Sequence, residues 1–495
     1  MDLPFDACYR AIETRDARFD GRLFVGVRTT GIYCRPICPA RRPKPENVRF
    51  FQSAAAAEEA GFRACLRCRP EVAPDLGAWN GTSNTVARAL ALIEAGALDG
   101  GDVESLAARL GVGERHLRRL FRQHLGAAPI TVAQTRRVLL AKQLLHETSL
   151  PMADVALAAG FGSVRRFNET FQALYRRPPA MIRRRRKTPS ADPTGSVSLS
   201  LPVKPPFDWD GLLAHFAARS VAGIECVAEG VYARSFAIGE GLGSFSIVPV
   251  AGDRLQVRVK TTSLSILPNV LARIRRLCDL TADPAPIAAH LKRDPILKPL
   301  VEQHEGLRVP GGWSPFELAV RAVFGQQVTV AAATGLVGEL VRRFGAPMPE
   351  EVSMHGVDRL FPEPGEIARA DLSVLPMPKA RSATAVTLAQ ALVAGPSLLE
   401  PGRALECIHS DLTALPGIGD WTANYIAMRQ LRSPDAFPAS DVALLRAVER
   451  LTGERPTAAA LATRAEAWRP WRAYAAQVLW RAGPTLTLNP SKDRP

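Results

Sequence analysis

Cys34 and Cys38 are separated by three residues, and 26 residues further on Cys65 and Cys68 are separated by two. Four thiolates in two close pairs suit a tetrahedral soft-ligand site, for which zinc is the default metal. A metal-bound thiolate is deprotonated at neutral pH and remains nucleophilic. The same four residues would equally serve a structural metal site. Cys8, Cys226, Cys278 and Cys407 stand singly, so the cysteines read as one metal site plus buried thiols, not as a disulfide framework. A second stretch with chemistry in it is Leu-Pro-Gly-Ile-Gly at 415–419. Gly417 and Gly419 make a tight turn between helical patterns, and backbone N–H groups opening the next helix can hold a phosphate. About twenty residues later Asp441 precedes another helical pattern, where it could also be an N-cap.

These residues need elements to position them. Residues 84–183 show the 3–4 apolar spacing of helices almost throughout. Within them, VESLAARLGVGERHLRRLFRQHLG and MADVALAAGFGSVRRFNETFQALY each read as helix, Gly turn, helix. The second helix of such a unit enters the DNA major groove. It would present Arg115, Arg118 and Arg119 in the first unit, and Arg165, Arg166 and Asn168 in the second. A solvated basic face on an ordinary helical bundle would look the same. Residues 221–262 alternate apolar and polar between Gly-containing turns, as antiparallel strands do. From about 290 to 482 the pattern is again helical.

Charge agrees with a polyanionic partner. Residues 1–190 hold 31 Lys+Arg against 18 Asp+Glu, whereas 191–495 hold 32 against 30. A basic half on a neutral remainder points to nucleic acid. The 495 residues, 47% hydrophobic and 22% charged, have the composition of a multidomain globular chain and exclude a mainly disordered one. No window approaches the ~20 apolar residues of a membrane helix, so no membrane partner is expected. MDLPFDACYRAIETRD lacks an apolar export segment. The expected location is the bacterial cytoplasm, in association with the nucleoid.

RTTGIYCRPICPAR (28–41), ENVRFF (46–51) and AGFRACLRCRP (60–70) resemble the N-terminal domain of Ada-type alkylation-repair proteins. That resemblance implies one zinc ion held by Cys34, Cys38, Cys65 and Cys68. It also implies that Cys34 accepts a methyl group from DNA phosphotriesters, switching sequence-specific activation through 84–183, with RNA polymerase as a further partner. The paired helix-turn-helix units, with GF-x-S-x-x-x-F in the second, resemble the AraC-type DNA-binding domain. The Pro-Cys-His-Arg motif of O6-methylguanine repair does not occur, so that activity is not expected.

The hairpin and spaced aspartate resemble the helix-hairpin-helix glycosylases. With SPFELAVRAVFGQQVTV (314–330), WTANYIAMR (421–429) and WRPWRAYAAQVLW (468–480), the closer likeness is to AlkA-type 3-methyladenine glycosylases. It implies Asp441 as the catalytic aspartate and Trp421, Tyr425 and Trp480 around the base pocket. Gly417 and Gly419 would contact DNA, and Gln327 would wedge into the stack. The compared protein has Leu at the wedge and a second acid beside the aspartate, where this chain has Gln327 and Ser440. Trp421, not a Schiff-base lysine, follows the hairpin, which implies a monofunctional glycosylase.

The expected architecture is multidomain and mainly α. A small zinc-bound α+β domain (1–75) precedes an AraC-type double helix-turn-helix (84–186) and a linker (187–203). A small α+β domain (204–290) and an all-α helix-hairpin-helix glycosylase (291–490) follow. The partner would be double-stranded DNA, both alkylated and operator. Two rival readings are a regulator with an inactive glycosylase part and a glycosylase with purely structural zinc.

Overall fold

The structure, a computed structural model, describes residues 4–74, 84–183, 195–399 and 405–482. They fall into two compact units, residues 1–203 with 237–273, and 204–236 with 274–495. Among the described residues no helix is long and apolar enough to cross a membrane.

The first unit begins with helix Phe5–Glu13 and a four-stranded sheet. Strand Phe24–Val27 pairs antiparallel with both Ile32–Cys34 and Val48–Phe51. Strand Arg63–Ala64 runs parallel to Ile32–Cys34, with Tyr33 opposite Ala64. That register brings the next residues, Cys34 and Cys65, side by side. The sheet's apolar side, with Phe24, Tyr33, Phe51 and Phe62, packs on helix Ala54–Glu59.

The expected helices follow. Val103–Leu110 and Glu114–Leu125 form the first helix-turn-helix, with Asp102 capping Ser105 and Gly111 ending the first helix in the left-handed region. Leu106, Leu110, Leu117 and Phe121 pack at its centre. Met152–Ala158 and Val164–Tyr175 form the second, around a row of rings, Phe161, Phe167, Phe171 and Tyr175. Helix Pro129–Glu147 lies between them and buries residues on several faces. One face meets helix Ala54–Glu59, where Thr135 donates to Glu58 at 2.7 Å. Another meets the strand Val197–Pro202.

That strand corrects the expected linker. Residues 197–202 pair antiparallel with Arg254–Thr261, which pairs in turn with Gly241–Val250. Val197, Leu199 and Leu201 are buried alternately with their half-buried neighbours. The period-two pattern of VSLSLP is a strand's, and only the neighbouring Ser/Pro composition suggested a linker. Residues 187–194 of that linker, and most of the Arg183–Lys187 run, lie outside the described residues.

In the second unit, strands Glu225–Ala228 and Val231–Ile238 form a hairpin with Glu225 opposite Arg234. Arg234 and Arg321 bind Glu225 and Glu317 in a buried ionic cluster at 2.6–3.2 Å. Glu317 and Arg321 sit four apart on helix Pro315–Phe324, so the cluster ties this helix to the hairpin. Helices Val330–Phe344, Lys379–Ala394, Leu405–Thr413 and Asp420–Arg429 complete one core through Val323, Leu340, Leu388, Leu412 and Ile426. Val442–Thr452 and Arg472–Arg481 pack on each other beside it.

Candidate zinc centre and glycosylase site

The sulfur atoms of Cys34, Cys38, Cys65 and Cys68 all lie within 4.8 Å of one another. A tetrahedral zinc with ~2.3 Å bonds needs sulfurs roughly 3.8 Å apart, so the set fits zinc with little movement. The N–H of Arg35 donates to Cys68 at 3.4 Å and that of Arg67 to Cys65 at 3.3 Å. Hydrogen bonds among the four thiols pull them apart in acidity. Cys38 and its neighbours push Cys34 up, whereas Cys34 and its neighbours pull Cys65 down and Cys38 to about 7. Four thiolates this close repel one another, which a divalent cation resolves. Cys34 is 8% exposed; Cys38 is more open.

The zinc loop is anchored to the long helix. Lys142, fully buried, donates to the Cys65 carbonyl at 3.1 Å and lies 2.7 Å from Glu71. Arg69 spans Glu71 at 3.1 Å and Glu147 at 2.6 Å. Glu147 accepts the Ser200 N–H at 2.8 Å. Burial would raise the Glu71 pKa, but the Lys142 charge and hydrogen bonds from His146 and Lys142 hold it at about 2. None of Glu71, Lys142 and Glu147 was singled out from sequence, because apart from the local Arg69–Glu71 pair these partners lie 53 to 78 residues away along the chain.

The expected DNA-facing side chains are exposed on the second helices: Arg115, Arg118 and Arg119 on one, Arg165, Arg166 and Asn168 on the other. Arg118 is bonded to Glu114 at 2.9 Å and Arg165 to Glu169 at 2.8 Å. Arg119 meets His116 at 3.0 Å.

In the second unit the hairpin forms as expected. Helix Leu405–Thr413 turns through Gly417 and Gly419 into helix Asp420–Arg429. Gly417 has φ +85°, and a Cβ there would lie 2.0 Å from Thr384 Oγ1. Around Gly419 there is open space, so its backbone can be approached closely. Gln327 is exposed at φ +56°, a conformation uncommon for a side-chain-bearing residue. Its neighbour Gln326 donates to the Gly417 carbonyl at 2.9 Å and to Thr422 at 3.0 Å. That tie between the Gln327 loop and the hairpin had no signal in sequence.

Asp441 caps helix Val442–Thr452, its Oδ1 accepting the Leu444 N–H at 2.9 Å. Trp480 donates its indole N–H to the same oxygen at 3.0 Å, and Trp421 donates to Oδ2 at 2.8 Å. A carboxylate has about four lone-pair sites. Three are filled, which leaves Oδ2 as the oxygen able to accept another partner. Tyr425 stacks on Trp421 with centroids 5.4 Å apart and meets Trp480 edge-on at 6.3 Å. The four residues expected at the glycosylase centre are therefore together. The resemblance implied only that the indoles surround a base pocket; their N–H edges also hold the aspartate. Ser440 is exposed beside it.

A hairpin leading to an aspartate that caps the next helix against an aromatic cluster is the arrangement of the helix-hairpin-helix DNA glycosylases. The family model of the HhH-GPD superfamily base excision DNA repair proteins matches residues 320–473, and that of the AlkA N-terminal domain matches 198–314. The metal binding domain of Ada matches 7–71 and a helix-turn-helix domain 106–185. The four cysteines thus form a one-zinc site. A 3-methyladenine DNA-glycosylase from Archaeoglobus fulgidus shares the fold at TM-score 0.51 and 22% identity, over 57% of this chain and 97% of its own. DNA-3-methyladenine glycosylase 2 of Escherichia coli is 34% identical over 56% of this chain and 94% of its length. A Mycobacterium tuberculosis protein named "Probable bifunctional transcriptional activator/DNA repair enzyme AlkA" is 43% identical over 96% of both chains. The chain belongs to that family.

Proposed function

We propose that this chain repairs alkylated DNA by two chemistries and uses one of them to regulate transcription. In the glycosylase part a modified base is flipped out of the duplex into the pocket at Trp421, Tyr425 and Trp480. An alkylated purine such as 3-methyladenine is cationic, which weakens its bond to the sugar, and it leaves neutral, so no strong acid is required. Asp441 faces the sugar as positive charge develops, or orients the attacking water. The observation that carries this reading is the carboxylate itself, fixed by three N–H donors with one site of Oδ2 still open. No lysine lies between the hairpin and Asp441, and the reaction stops at base release.

In the zinc part Cys34 takes the methyl carbon of a phosphotriester. The S–C bond forms as the C–O bond breaks, and the phosphodiester oxygen keeps the electron pair. Zinc, when bound, keeps the thiol deprotonated and nucleophilic. With zinc bound, the four thiolates would carry a net charge of about −2, and methylation of Cys34 would make it less negative, about −1. Repulsion from DNA phosphates weakens, and Arg67, beside Cys65, acts with less opposition, whereas Arg35 and Arg69 are held by Asp20, Glu71 and Glu147. Operator binding by 84–186 tightens, and RNA polymerase is the downstream partner at the nucleoid. A second reading puts the methyl on Cys38, favoured by its greater exposure.

Duplex DNA carrying 3-methyladenine tests the glycosylase. Asp441→Asn is expected to lose on the order of 100-fold or more in release while still binding abasic-site DNA. Near-normal release by the variant would overturn the mechanism.

A further inference from the structure

Arg429 ends the helix that follows the hairpin and is 2% exposed. Its guanidinium carbon lies 5.3 Å from the Trp480 ring centroid and 5.4 Å from that of Tyr425. It donates to the Pro310 carbonyl at 3.0 Å and to Gln477 Oε1 at 2.9 Å. Its Nε has no partner, and no carboxylate pairs with it among the described residues. Burial lowers its pKa to about 10, with Tyr425 opposing and Arg219 and Arg432 adding to the fall, so it is charged at neutral pH. A buried charge without a counter-ion is costly. Core packing alone is served better by an apolar side chain.

Its place explains the cost. When the glycosidic bond breaks, the electron pair passes to the base and water oxygen ends on C1′, its proton going to solvent. A cationic alkylpurine changes from +1 to 0. Its charge falls by one unit, and a fixed positive charge nearby favours that change. Asp441 acts on the other fragment, where the sugar becomes positive. Both charges meet Trp480, Asp441 at its indole N–H and Arg429 over its ring.

We propose that Arg429 is a positioning residue that drives departure of the base, holding positive charge against the faces of Trp480 and Tyr425. This rests on the glycosylase reading. A base on the remaining face of Trp480 would lie ~9 Å from the guanidinium, where a unit charge at an effective dielectric of ~20 is worth on the order of tenfold in rate. The same charge repels a cationic base before cleavage, so it weakens ground-state binding while speeding the chemical step.

The test uses the full chain and duplexes carrying 7-methylguanine, a cationic base, or a tetrahydrofuran abasic analogue, which has no base. Single-turnover release and binding affinity are measured separately. Arg429→Met is expected to slow release about tenfold while binding the cationic duplex more tightly, relative to the abasic one, than the parent does. Arg429→Lys, which keeps the charge, should restore most of the rate; Arg429→Gln reads the same split if the Met variant does not fold. Parallel losses in release and in both affinities, or unchanged release, would overturn the role of Arg429. Absence of release by the parent would overturn the glycosylase reading and this role together.

Discussion

Trp480 donates its indole N–H to Oδ1 of Asp441 across 3.0 Å. With the Leu444 N–H on the same atom, this fills one carboxylate oxygen and fixes the plane of the other. A hydrogen bond to a charged group contributes roughly 1.5–3 kcal/mol. Trp480→Phe keeps a ring in the pocket but removes the donor. The expected result is a fall of about tenfold to a hundredfold in single-turnover base release. Trp421→Phe should act similarly through Oδ2. If both single variants and the double variant each kept the parental rate, the indoles would be packing only.

Gly417 cannot accept a side chain without moving Thr384. Gly417→Ala combines a positive φ with a 2.0 Å approach to Oγ1 and should destabilise by about 1–3 kcal/mol. Adding Thr384→Ala removes the clash but not the strain, so thermal melting should recover only in part. Abasic-site DNA binding should fall in the single variant. Melting and binding equal to the parent's would show that the turn is not built as described.

Much of this was legible because it is local. The cysteine spacing, the hairpin glycines and the Asp441 cap lie within short stretches whose pattern states their geometry. Helices at 84–183 followed from apolar spacing alone. What was missed is long-range. Lys142 beneath Cys65, Gln326 on Gly417 and Arg429 under Trp480 each meet partners far along the chain, and nothing in their own neighbourhood marks them. Val197–Pro202 is a different failure: its alternation was visible, but the adjoining Ser, Pro and Gly residues outweighed it.

Glu71 makes the first unit sensitive to acid. Its folded pKa is about 2, below the ordinary value of 4.5. Its contribution is therefore complete above pH ~4.5 and is lost as the pH falls toward 2. The depression corresponds to about 3 kcal/mol. Glu71→Gln should be less stable than the parent at neutral pH and approach it near pH 2 in denaturant titrations. A constant gap across that range would remove Glu71 from the account.

The exposed arginines should not contribute equally to DNA binding. Arg118 and Arg165 already bond to Glu114 and Glu169, whereas Arg115 and Arg166 carry no such partner among the described residues. Arg115→Ala and Arg166→Ala are each expected to weaken duplex binding and lower the salt slope by about one. A slope unchanged by both would argue against phosphate contacts on these helices.

Two separate chemistries in one chain can be read by one experiment. The protein is incubated with methylated duplex DNA; free bases are resolved by chromatography and peptides around Cys34 and Cys38 are weighed. The parent should release 3-methyladenine and gain one methyl on Cys34. Asp441→Asn should gain the methyl but release little base, and Cys34→Ser should release base but gain no methyl. A parent that releases no alkylated base, or whose cysteine peptides stay unmethylated, would contradict the account.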